Sequence, residues 1–151
     1  MRILICKSRR LLTLTHEGRE LLRARVALGT SPEGPKRRRG DGRTPEGLYH
    51  ICLAKANGKY GRSLGLDYPN AGDARLAYEE GAIDADTLAA VETALAQGRR
   101  PPWGTPLGGE IYLHEGGTAT DWTQGCVALA PEDMARLYQL RDQIEVVEIR
   151  A

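Results

Sequence analysis

The sequence lacks any apolar run near the ~20 residues that a membrane-spanning helix needs. Near its start only four apolar residues, Ile3 to Cys6, precede Lys7, Arg9 and Arg10. That is too short for a signal-peptide core. The chain is therefore expected either to stay unexported or to rely on a signal that these residues do not contain. It also lacks a charge bias. Lys and Arg number 21 against 20 Asp and Glu, a formal net charge of +1. No general attraction to nucleic acid or to an anionic membrane follows from that balance. There is no C-x-x-C, and His16-Glu17 and His114-Glu115 both lack the second His that H-E-x-x-H requires. With His50 the only other His, neither a metal nor another cofactor is expected. Nor is there an even complement of cysteines. Cys6, Cys52 and Cys126 make three, so at least one stays out of any internal bridge. Cys6 and Cys52 sit in apolar runs and are expected to be small buried hydrophobes.

What is present reads as one β-rich domain over residues 1–151. Residues 2–7 and 10–15 form a candidate hairpin, and alternation of Leu22, Ala24, Val26 and Leu28 favours a strand over Arg19 to Leu28. A loop rich in Gly, Pro and Arg follows, from Thr30 to Gly47. Leu48 to Ala54 returns to strand character, and Tyr60 to Tyr68 is a further strand or extended loop. Pro69 to Gly72 signals a turn. One helix falls between Asp73 and Glu80. Another starts at Asp84 or Asp86, carries Leu88, Val91 and Leu95 on one face and ends near Gly98. Ile111 to His114 and Val127 to Leu129 read as short strands. Pro131 opens a helix with Met134, Leu137 and Tyr138 on one face, and Ile144 to Ile149 is a last strand. Helices are late and single, so a mainly β fold with a few peripheral helices (α+β) is preferred to a doubly wound parallel sheet.

Three stretches invite a functional reading. Pro35 to Gly40, PKRRRG, is the densest basic run; read simply, it is a solvated loop beside Asp41, open to anchoring an anionic partner. Gly40 to Gly47, GDGRTPEG, matches neither phosphate-loop pattern and reads as a tight turn. The third is HEGGTATDWTQGCVAL, His114 to Leu129. A thiol needs a nearby base to become a nucleophile, and a His in reach supplies one. His114 and Cys126 lie 12 positions apart, and adjacent strands would bring them together. Gly125 would let a substrate carbonyl approach, and the Gly125 and Cys126 amides would face an oxyanion. Spacing alone favours the simpler reading, a buried Cys on a core strand and a surface His.

I-Y-L-H followed by D-W-T-Q-G-C-V-A-L resembles the L,D-transpeptidase catalytic domain, the YkuD-like family, with His114, Thr123, Gly125 and Cys126 at the matching positions. G-D-G-R-T-P-E-G-L-Y and S-L-G-L-D-Y-P-N-A-G-D also match, in order, so the resemblance covers most of the chain. It implies a β-sandwich-like fold with helices outside, a cell-envelope location and no cofactor. It implies that Cys126 attacks a carbonyl of a peptidoglycan stem peptide, forming a thioester that an amine or water resolves. His114 would be the base, oriented by the carbonyl of Glu115. Tyr112, Gly116, Trp122, Thr123 and Gln124 would meet substrate, although simple packing serves Trp122 and Tyr112 as well. Thiol amidase or carboxypeptidase action is the alternative within this chemistry, and a peptidoglycan-binding module without turnover is the alternative outside it. Two departures stand out. Many relatives have Gly where this chain has Glu115, and Arg where it has Ala128. Residues 55–110 are the region expected to carry any lid.

Overall fold

A computed structural model describes residues 1–151. Nine strands form a single sheet: β1 Arg2–Cys6, β2 Leu11–His16, β3 Arg19–Ala27, β4 Gly47–Tyr49, β5 Ile51–Gly58, β6 Gly61–Leu66, β7 Tyr112–Glu115, β8 Val127–Leu129 and β9 Val146–Arg150. Three helices accompany them: α1 Ala71–Glu79, α2 Ala85–Ala96 and α3 Pro131–Gln139. No helix is long and apolar enough to cross a membrane.

Side-chain alternation explains the first strands. Ile3 and Ile5, then Leu12 and Leu14, point one way and are fully buried, while their neighbours face outward. The strand order is β4-β9-β1-β2-β3-β8-β7-β6-β5. Pairing is antiparallel except for β1 with β9 and β7 with β8. The long strand β3 belongs to both halves: Arg19 to Arg25 pair with β2, and Val26 and Ala27 with β8. The sheet thereby curls on itself. Side chains from both halves, such as Ile3, Leu12 and Val147 on one side and Leu64, Leu113 and Val127 on the other, enter one cluster of 19 buried residues. Met134 and Leu137 of α3 complete it. The expected mainly β, sandwich-like fold with outlying helices is the fold observed.

Several local expectations need correction. Leu48 to Ala54 is not one strand. It breaks at His50, whose amide and Nδ1 both turn to the Asp67 carboxylate, at 2.6 and 3.1 Å. The break sends β4 to β9 and β5 to β6, at opposite ends of the strand order. Pro69 to Gly72 is less a turn than a helix start. The Asn70 side chain accepts the Asp73 amide at 2.8 Å and Asp73 accepts the Asn70 amide at 2.9 Å, so α1 begins at Ala71. A short 3-10 turn at Arg141–Gln143 delays the last strand to Val146. Cys6 is not a buried hydrophobe. It is half-buried at the end of β1, 3.7 Å from the Ser8 hydroxyl, which pulls its thiol pKa down. Cys52 is half-buried too, and burial pushes its thiol up to about 11.

Helices α1 and α2 pack on each other through a separate cluster containing Ala74, Ala77, Leu88 and Val91, joined by Leu107 from the segment that leads into β7. That segment forms one wall of the cavity described next.

Candidate active site

Parallel pairing of β7 with β8 sets the geometry. Leu113 lies opposite Val127 and His114 opposite Ala128. Cys126, one residue before β8, therefore sits diagonally across from His114. Its Sγ receives the Tyr112 amide at 3.4 Å and lies 3.4 Å from the Glu110 carbonyl. His114 and Cys126 both line a cavity of about 580 Å³.

The orientation of the imidazole follows from its neighbours. Nδ1 lies 2.8 Å from the Glu115 carbonyl. A carbonyl can only accept, so Nδ1 carries the proton and Nε2 presents its lone pair to the cavity. The ring stacks on Tyr60, with centroids 4.7 Å apart, and meets the edge of Trp122 at 5.7 Å. Burial lowers its pKa below the ordinary 6.5, partly opposed by the Glu115 carbonyl. Burial raises the Cys126 thiol above its ordinary 9.0, with the Tyr112 amide and the Lys36 charge pulling the other way. Both directions favour the neutral forms, thiol and imidazole.

The turn before Cys126 is built from its own side chains. The Thr123 hydroxyl donates to the Cys126 carbonyl at 2.7 Å and accepts the Gly125 amide at 3.1 Å. Thr123 is thus committed to the loop backbone, and it is only 3% exposed. The Gly125 amide is engaged as well, which corrects the expectation that it waits for an oxyanion. The Cys126 amide, by contrast, donates to nothing within the protein. Gly125 adopts a φ of +136°. A Cβ there would lie 2.7 Å from the Arg43 carbonyl, so the glycine admits this chain's own GDGRTPEG loop instead of a substrate carbonyl. Asp121 anchors the other end of the loop: it accepts the Leu28 amide at 3.0 Å and pairs with Arg10 at 2.7 Å.

The remaining candidates divide. Gln124 and Trp122 line the cavity. Gly116 does not; it makes room for the indole, since a Cβ there would come within 2.6 Å of Trp122. Trp122 Nε1 donates to the Gly117 carbonyl at 2.8 Å. The Tyr112 ring also lies outside the cavity, edge-on to Trp103 at 5.7 Å with Lys55 over its face, so only its amide reaches the sulfur. The Glu115 side chain turns away too, accepting the Arg62 amide at 2.6 Å.

Lys36, Arg39, Gly40 and Gly42 also line the cavity; Arg37 to Gly40 are exposed, as expected of a solvated loop, but Lys36 is not. Lys36 is 4% exposed and pairs with Asp41 at 2.8 Å. Asp41 also accepts the amides of Arg37, Arg38 and Arg43. Burial alone would raise its carboxyl, but Lys36 and these amides outweigh that and hold it at about 2. The cavity is also lined by Tyr60, Lys59 and Glu110, which no motif marks, and by Arg39. The basic run pointed to Arg39. The left-handed backbone of Glu110, with φ +57°, has no local sequence signal.

Comparison with known proteins agrees with this architecture. Solved structures with the same fold include the helical cell shape determining protein Pgp2 of Campylobacter jejuni, at 20% identity and a TM-score of 0.65, covering 99% of this chain and 46% of that one. An L,D-transpeptidase from Stackebrandtia nassauensis matches at 13% identity and a TM-score of 0.58, covering 99% and 55%. One from Mycobacterium smegmatis matches at 12% and 0.54, covering 99% and 58%. The chain thus spans about half the length of these structures. No curated protein matches it. The family model of the L,D-transpeptidase catalytic domain, YkuD, matches residues 1–149, and with nearly the whole chain inside that match the protein belongs to the L,D-transpeptidase catalytic-domain family.

Proposed function

We propose that this chain performs cysteine-dependent acyl transfer on peptidoglycan stem peptides, with Cys126 as nucleophile and His114 as general base. The observation that carries the reading is that His114, its Nδ1 held by the Glu115 carbonyl, and the half-buried Cys126 thiol line one cavity. Because both groups rest neutral, Nε2 would take the Sγ proton as sulfur adds to the stem carbonyl. The Cys126 amide, which has no acceptor within the protein, would donate to the resulting oxyanion. The imidazolium then returns its proton to the departing amine, usually D-alanine, leaving a thioester. An amine acceptor gives transfer; water gives hydrolysis.

Charge in the cavity supports an anionic peptide. Lys36, Arg39 and Lys59 line it against the single acid Glu110. Ala128, where many relatives have Arg, is fully buried beside Gly116 and Trp122. Stem carboxylates would meet Arg39 and Lys59 instead, since Lys36 is committed to Asp41. The location that goes with such a substrate is the cell envelope.

Incubation with purified disaccharide-tetrapeptide, read by mass spectrometry, tests the proposal. Cross-linked dimer identifies a transferase and a shortened stem a carboxypeptidase. A Cys126→Ala chain that stays folded and gives the same products as the wild type overturns the mechanism. A stem left unchanged while still bound favours a peptidoglycan-binding module. A carbapenem, whose strained carbonyl acylates activated thiols, is expected to add once, at Cys126.

A further inference from the structure

We propose that Glu115, whose carbonyl holds Nδ1 of His114, is a positioning residue through its side chain as well: its carboxylate fastens the β5–β6 turn so that Tyr60 covers that imidazole. This rests on the reading of His114 as the base. The backbone ladder between β6 and β7 ends at Ser63 and His114. One residue further, the Glu115 side chain takes over. Its Oε2 accepts the Arg62 amide at 2.6 Å, and the Arg62 guanidinium lies 3.5 Å away. Gly61 is shaped for this contact. It has a φ of +76°, and a Cβ on it would overlap the carboxylate.

The fastened turn carries Lys59 and Tyr60 at its tip, between Gly58 and Gly61. Tyr60 is 43% exposed, yet its inner face stacks on His114 at an interplanar angle of 22° and its ring meets Trp122 at 5.6 Å. An exposed aromatic held against a buried base removes water from one face of that base. Where many relatives have Gly after the His, this chain thus has a side chain that ties the cover down. The charged and titratable groups around the imidazole are Lys59 and Tyr60 from the turn, Glu115 from β7, Cys126 from the segment before β8, Glu110 from the segment before β7, and Lys36 and Arg39 from residues 36–43.

An NMR titration of the His114 ring in the full chain tests the tie without requiring turnover. Glu115→Ala and Tyr60→Leu are expected to let water reach the ring and raise its midpoint by about half a pH unit or more. Glu115→Gln, which keeps an acceptor for the Arg62 amide, is expected to stay near the wild type. Gly61→Ala attacks the same contact from the other side and should behave like Glu115→Ala. Midpoints unchanged in Glu115→Ala, Tyr60→Leu and Gly61→Ala, with cooperative thermal unfolding retained, overturn the proposal. If the midpoints shift as expected but the wild type leaves stem peptides untouched, the tie stands and the proposed reaction fails. Where turnover is present, the acid limb of kcat/KM should move with the titration.

Discussion

The carbonyl of Arg43 stands where a side chain at residue 125 would have to go, 2.7 Å from a Cβ built on Gly125. Two motifs far apart in the chain are therefore locked backbone to backbone, one of them ending in the thiol. Gly125→Ala must move one of the two and adopt an unfavourable φ of +136°. A loss of about 2 kcal/mol is expected, lowering Tm by roughly 5 °C. Alkylation of Cys126 by iodoacetamide should change in rate as well. A variant with wild-type Tm and labelling rate would show that the contact carries no strain.

The Lys36–Asp41 pair should govern the acid stability of the cavity wall. The folded Asp41 carboxyl is depressed to about 2 from an ordinary 3.8. Its contribution is therefore present above pH ~4 and is lost as pH falls through the folded value, an effect of about 2 kcal/mol. Asp41→Asn leaves Lys36 buried without its counter-charge and should cost about 3 kcal/mol at neutral pH. The difference in unfolding free energy between wild type and variant should shrink between pH 4 and 2. A constant difference across that window would contradict the assignment.

The pH–rate profile of the proposed reaction follows from the two neutral partners. The His114 pKa is lowered, so activity should rise with pH at a midpoint below 6.5 and be fully present at neutrality. The Cys126 pKa is raised, so the second limb should lie above 9.0. The two limbs belong to the coupled pair rather than to either residue alone. His114→Gln should abolish the acid limb and lower kcat by about 10²-fold or more. An acid limb far below 6.5 together with an alkaline limb below 9.0 would indicate a thiolate–imidazolium pair at rest instead.

Much of this arrangement is legible in local sequence because it rests on local chemistry. Alternation writes β1 to β3, and the N-cap Asp84 and the first-turn Pro131 mark two helix starts. His114 and Cys126 are recognisable because each sits beside a short apolar strand, within one segment. What stays hidden depends on register and on burial of polar groups. Tyr60 reaches His114 only because Ser63 pairs with His114, which no local pattern encodes. Lys36 looks like any member of a basic run until the loop folds Asp41 against it. Tyr112 alternates onto the same face as His114, yet its ring finds Trp103 of the irregular segment that leads into β7, whose path no pattern encodes. Gly125 suggests space for substrate, but the space belongs to Arg43.

The single-residue corner at His50, which places β4 and β5 at opposite ends of the strand order, bears on colloidal behaviour. Each end of the sheet offers little to a stray strand: β4 is three residues long, and β5 has register irregularities at Ile51/Leu53 and Lys55/Gly58. Lys55 adds a charge to that second edge. Short, bulged and charged edges discourage strand addition between molecules. Lys55→Val should therefore raise light scattering during prolonged incubation at high concentration while leaving Tm nearly unchanged, so that the sheet ends protect the protein from its own copies.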